Sequence, residues 1–122
     1  MATLVALLST GKGSWGQVSG LVKRGEWERI ILLGPSFAKE FNLPGETFDF
    51  IEFDANKSLT QLKKEILSKI KPKLDSLDFG AEVSLSIASG NGKEHMALIS
   101  ALLSVPVGVR FTALTKDGVV ML

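Results

Sequence analysis

The sequence contains no cysteine and only one histidine. Without cysteine the chain has no disulfide, thiolate metal site or cysteine nucleophile. A lone histidine with no clear carboxylate pair gives no metal site either, so we predict no metal and no cofactor. No stretch reaches the roughly 18 apolar residues of a membrane span. The apolar residues 2–8 lack a basic leader and are typical of a strand rather than a signal peptide. We therefore expect a cytoplasmic protein with no membrane partner.

The charge of the chain is nearly balanced, with 14 Lys and Arg against 13 Asp and Glu. A protein that coats duplex nucleic acid needs a clear excess of positive charge, so we expect no duplex partner. A local site for a few phosphates is compatible with this balance. The 122 residues, 45% of them hydrophobic, predict one folded domain over residues 1–122.

Two short glycine-rich segments carry most of the functional signal, and we call residues 9–14 loop 1 and residues 89–93 loop 2. Each follows an apolar run and precedes a predicted helix. Glycine lets backbone N–H groups turn toward a ligand, and a helix N-terminus adds donors and partial positive charge. We expect an anion cradle whose binding residues are Ser9, Thr10, Gly11, Gly13, Ser14, Trp15, Ser89, Gly90, Asn91 and Gly92. The candidate catalytic groups are Lys93, Lys12 and His95.

The pattern of apolar runs and helical periodicity predicts an α/β fold. Strands are predicted at residues 2–8, 27–33, 47–53, 81–88, 107–114 and 119–122. One helix is predicted from a cap at Gly13 or Ser14 to about residue 24, and another from a cap at Ser58 to a stop or kink at Pro72. Two more are predicted at residues 36–41 and 94–105. Right-handed crossovers then give a Rossmann-like, doubly wound three-layer sandwich. We expect a mostly parallel sheet of order 3-2-1-4-5 with a C-terminal antiparallel hairpin, and ligands at the carboxyl ends of strands one and four.

Two familiar nucleotide motifs fit the loops poorly. Residues 11–16 match the dinucleotide fingerprint G-x-G-x-x-G, but the second strand runs into Gly34 without the acidic residue that would hold a ribose. A protein that binds NAD or FAD is therefore the weaker alternative. A phosphate-binding P-loop would need glycine at Ile87 and serine or threonine at Glu94, so that reading fails on spacing.

The predicted helix at 94–105 is apolar nearly all round, with polar residues confined to its start and two serines. One apolar face is enough to cover a sheet, so the surplus predicts a homodimer through this helix. A deeply buried helix in a monomer is the other interpretation. His95 lies in the first turn of this helix. It is either a polar residue at a helix start or a residue that contacts the ligand or transfers a proton.

The segment from Ser89 through Met96 and the apolar helix after it resemble the signature of CRISPR-associated Rossmann-fold (CARF) domains, with Asn91 where that family usually has glycine. Loop 1 is similar to that family's other ligand-binding loop, and the terminal hairpin fits its architecture. The resemblance implies a stand-alone homodimer that binds a cyclic oligoadenylate or related nucleotide across its two-fold axis.

Some compact relatives are ring nucleases, so the resemblance also implies a metal-independent phosphodiesterase that uses a ribose 2′-hydroxyl as nucleophile. In that reading Lys93 or Lys12 stabilises the developing charge, His95 assists proton transfer, and Ser9, Thr10 and Ser89 position the phosphodiester. A regulatory or interaction module without enzymatic activity is the alternative.

Overall fold

A six-stranded sheet runs through the computed structural model, which describes residues 2–10, 12–77 and 81–122. The strands are β1 (Ala2–Leu7), β2 (Trp27–Gly34), β3 (Asp49–Glu52), β4 (Glu82–Ser86), β5 (Gly108–Thr115) and β6 (Gly118–Met121). The helices are α1 (Trp15–Arg24), α2 (Leu59–Leu74) and α3 (Gly92–Leu103), with short 3₁₀ turns at Lys12–Ser14 and Ser36–Glu40.

The sheet order is β3-β2-β1-β4-β5-β6, which confirms the predicted doubly wound α/β fold. The first five strands in this order are parallel, and Val5 of β1 lies between Ile31 of β2 and Leu85 of β4. β5 and β6 form the predicted antiparallel hairpin, with Thr115 opposite Gly118 at the turn. The direction of winding reverses between β1 and β4, and sheets of this kind bind their ligands at the carboxyl ends of the two strands where it does so.

Alternation along the buried strands divides the core into two layers. Leu4, Ala6 and Leu8 pack with α1 on one face. Val5 and Leu7 pack with α2 and α3 on the other face. Because β1 is covered on both sides, its side chains are buried on both sides, and residues 4–8 are inaccessible to solvent.

The helix boundaries differ from the predicted ones where local hydrogen bonds intervene. α2 does not end at Pro72 but continues to Leu74, because the Asp75 N–H still donates to the Lys71 carbonyl at 2.9 Å. α3 begins at Gly92, two residues earlier than predicted, because Asn91 caps it. α1 follows the predicted cap residue Ser14 and ends at Arg24 as predicted, and a 3₁₀ turn at Lys12–Ser14 precedes it.

Candidate functional site

Loops 1 and 2 lie side by side at the carboxyl ends of β1 and β4. The Ser9 N–H donates to the Ser89 hydroxyl oxygen at 2.8 Å, and the Gly90 N–H donates to the Thr10 carbonyl at 3.3 Å. The neighbouring positions of β1 and β4 in the sheet bring the two segments together, although 80 residues separate Ser9 from Ser89. Gly11 and the side chain of Lys12 lie outside the described residues.

A buried carboxylate, that of Glu94, joins the two loops. Glu94 is 1% exposed, and its Oε2 accepts the Ser9 hydroxyl proton at 2.8 Å. Its Oε1 accepts the Asn91 N–H at 3.0 Å, while the Asn91 side chain accepts the Glu94 N–H at 2.9 Å. This reciprocal pair is a capping box, and the spacing of Asn91 and Glu94 is the sequence signal that could have identified it. Sequence reasoning did not include Glu94 among the site residues.

Glu94 places a buried carboxylate between the two loops, at the start of α3. Its carboxylate takes up donors at the N-terminus of α3, where the helix carries partial positive charge. Ser9 and Ser89 are both buried and both hydrogen-bonded within the protein. The parts of the two loops that face solvent are instead Thr10, Gly13 and Gly92.

Gly90 is required at its position by both conformation and space. Its φ is +97°, in the region that favours glycine, and a Cβ there would lie 3.0 Å from Glu94 Oε1 and 3.3 Å from Leu7 Cδ1. The glycine thus lets the chain turn tightly over the buried carboxylate.

The two candidate catalytic groups beside loop 2 both contact backbone carbonyls. The Lys93 ammonium donates to the carbonyls of Ala55 and Lys57, each at 2.8 Å, and so ties the start of α3 to the segment between β3 and α2. His95 Nε2 lies 2.9 Å from the Ser89 carbonyl, and because a carbonyl only accepts, this ring nitrogen carries the proton. Both side chains are half-buried.

Trp15 begins α1 and packs beside loop 1. Its indole N–H donates to the Ser9 carbonyl at 3.1 Å. The ring is nearly parallel to that of Phe37, with an interplanar angle of 6° and 6.3 Å between centroids, and Phe41 meets it edge-on. Ser14, the residue before α1, is half-buried.

A cavity of about 440 Å³ opens on the same edge of the sheet, at the carboxyl ends of β2 and β3. Phe37, Phe53, Glu52 and Asp54 are among the residues that line it. Phe37 is 39% exposed, and Glu52 pairs with Lys39 at 2.6 Å. Sequence reasoning missed this cavity because β3 is short and the residues that form its walls come from two separate connections.

The described residues contain no cluster of three His, Asp or Glu side chains arranged to hold a metal ion. In the same part of the chain, no helix combines the length and the apolar character needed to cross a membrane. Comparison with protein-family models found no match, and comparison with curated proteins found none either.

Proposed function

We propose that this chain is a nucleotide receptor similar to CARF domains, which recognises a cyclic oligoadenylate or a related nucleotide in a groove between two copies. The observation that supports this proposal is the direct contact of loops 1 and 2 above β1 and β4. Ligands of doubly wound sheets bind at this reversal of strand order. α1 and α3 both begin at this edge, and the N-terminus of α1, which has no acidic residue in its first turn, adds partial positive charge that favours a phosphate.

The surface of α3 supports association of two copies. Met96 and Leu103 are 59% and 72% exposed, and they lie seven residues apart, on one face of the helix. On the neighbouring hairpin, Phe111 and Leu122 are 38% and 72% exposed, and the Leu122 N–H donates to the Phe111 carbonyl. An apolar surface of this kind is typical of a protein interface.

A second candidate function, a receptor that binds its nucleotide without cleaving it, is favoured by the contacts of the candidate catalytic groups. Lys93 and His95 each hold a backbone carbonyl. Two of the three donors of the Lys93 ammonium are already given to carbonyls, so at most one is left for a phosphodiester in this position. We therefore propose nucleotide recognition as the primary function, and a test for cleavage is made separately from the test for binding.

Calorimetric titration of the purified chain with cyclic tetra-adenylate, cyclic hexa-adenylate, ATP and NAD(H) tests the proposal. We expect binding of a cyclic oligoadenylate at one ligand for two chains. Binding of NAD(H) alone would support the dinucleotide alternative, and binding of none would support the interaction module. Chromatographic analysis of the recovered ligand reports cleavage independently of binding.

Light scattering coupled to size-exclusion chromatography tests the interface. Leu103→Glu should convert a dimer to a monomer, because a carboxylate would be buried without a partner. The matched control is Leu59→Glu at an apolar position of α2 that is 38% exposed. A wild-type protein that elutes as a monomer at every concentration and with every ligand would contradict the dimer.

A further inference from the structure

The cavity at the ends of β2 and β3 is attached to both loops. On one side, Phe37 of its wall lies parallel to Trp15, whose indole is bonded to Ser9 of loop 1. On the other side, Ala55 of its wall accepts a hydrogen bond from Lys93 of loop 2. The cavity is therefore close enough to the loops to take part of a ligand whose phosphate is bound there.

The walls of the cavity favour an uncharged, flat group over an anion. The described residues that line it include the carboxylates of Glu52 and Asp54 and no lysine or arginine. Phe37 exposes more than a third of its surface and offers a stacking face. The volume of about 440 Å³ lies within the range of small-molecule sites, which is about 300–1,000 Å³.

Asp54 is an exposed residue of the cavity lining, and its carboxylate is open to a ligand that enters from solvent. Its backbone N–H is held by Glu65 Oε1 at 2.9 Å, and its Oδ1 accepts the Asn56 N–H at 2.9 Å, so the side chain is oriented. Oδ2 accepts no hydrogen bond from the described residues. Glu52, in contrast, is already paired with Lys39. Because an ionised carboxylate can only accept hydrogen bonds, it favours a ligand group that donates one.

We propose that this cavity holds a nucleobase with an exocyclic amino group, stacked on Phe37 and hydrogen-bonded through its amino group to Asp54. This inference rests on the nucleotide-binding function proposed above and names the base subsite of that ligand. Adenine meets the requirement, whereas hypoxanthine, which carries a carbonyl in place of the amino group, meets Asp54 with an acceptor.

Binding of cyclic tetra-adenylate and of its inosine counterpart to four variants tests the subsite. Asp54→Asn keeps the Oδ1 acceptor that holds Asn56 but replaces the free oxygen with a donor. We expect the wild type to prefer adenine by about three- to ten-fold and this variant to lose or reverse that preference. Phe37→Leu should weaken both ligands by about ten-fold, and Phe37→Trp should restore binding. Asp117→Asn, in the exposed hairpin turn, is the control.

The outcomes separate the two proposals. If the wild type binds the adenylate and neither Asp54→Asn nor Phe37→Leu changes binding while both melt like the wild type, the base subsite is wrong and the receptor function stands. If the wild type binds no cyclic oligonucleotide, the receptor function fails, and amide NMR with millimolar AMP decides the subsite. Shifts confined to residues 36–37 and 52–56 would support it, and their absence would overturn it.

Discussion

The hydroxyl of Ser9 donates to the carboxylate of Glu94 at 2.8 Å, and this bond joins the ends of β1 and β4 inside the protein. Ser9 is inaccessible to solvent and Glu94 is 1% exposed. A buried carboxylate is stable only when its oxygens accept hydrogen bonds. This pair therefore joins the two glycine loops into one structural unit and stabilises their conformation.

Ser9→Ala should lower the free energy of unfolding by about 1–3 kcal/mol, because Glu94 Oε2 loses its buried donor. Urea unfolding followed by tryptophan fluorescence measures the change, since Trp15 is bonded to the Ser9 carbonyl. Ser76→Ala, at an exposed serine, is the control. Equal unfolding midpoints for Ser9→Ala and the control would mean that the bond to Glu94 contributes nothing.

Gly90→Ala should destabilise the protein by about 1–3 kcal/mol, because the added Cβ meets Glu94 and Leu7 while φ remains positive. Gly92→Ala is the matched control in the same segment, because nothing lies within 4 Å of its added Cβ. Gly92 is the first residue of α3, so alanine there should be neutral or slightly stabilising. Thermal unfolding of both variants measures the difference, and a Gly90→Ala protein as stable as Gly92→Ala would contradict this prediction.

Lys93→Met should lower the free energy of unfolding by about 2 kcal/mol even without ligand, because the carbonyls of Ala55 and Lys57 lose a charged donor. Lys116→Met, at an exposed lysine in the hairpin turn, should leave stability unchanged. Urea unfolding of the ligand-free variants measures both values. A stable Lys93→Met protein that has lost only nucleotide cleavage would instead identify Lys93 as a catalytic residue.

Glu65 should make the stability of the protein depend on acidity. Partial burial alone would raise the pKa of Glu65. The hydrogen bond from the Asp54 N–H and the ammonium groups of Lys69 and Lys57 together lower it by more, so the pKa lies below the ordinary 4.5. The unfolded chain therefore binds the proton more tightly than the folded chain. The stabilisation is complete above the unfolded pKa and is lost as pH falls through the folded pKa.

Glu65→Gln should consequently be less stable than the wild type near neutral pH, by about 1 kcal/mol after allowance for solvent screening of its partly exposed lysines. The difference should shrink as pH falls below 4.5. Melting temperatures of both proteins from about pH 7 to pH 3 measure it. Glu46→Gln, at an exposed glutamate, is the control, and a wild-type advantage that does not change with pH would disprove the assignment.

The fold could be predicted because its signals are local and repeated. Continuous apolar runs such as β1 indicate strands that are covered on both faces, and the alternation of strands and helices then restricts the sheet order. The hairpin could be predicted from the glycine between the last two predicted strands, Gly118, and in the structure this residue has the positive φ, +100°, that the turn requires. The end of α2 was less predictable, since a proline near a helix terminus removes only one hydrogen bond and the chain can continue past it.

The side-chain partners in the site could not be predicted from the sequence. The direction of Lys93 depends on where the carbonyls of Ala55 and Lys57 lie, and that is fixed by the packing of α2 on α3. The burial of Glu94 depends on Ser9, which is 85 positions away in the chain. Long-range hydrogen bonds of this kind leave no spacing pattern. The capping box at Asn91 is the exception, because both of its residues belong to one turn.

The ammonium group of Lys93 connects the start of α3 to the segment that lines the cavity at the end of β3. It extends from α3, the helix with the exposed apolar face, and holds the carbonyls beside the cavity at the end of β3. A displacement of α3 along its axis would have to break these two hydrogen bonds or move residues 55–57 with the helix. A single side chain thus ties the helix proposed to form the subunit interface to the wall of the proposed base subsite.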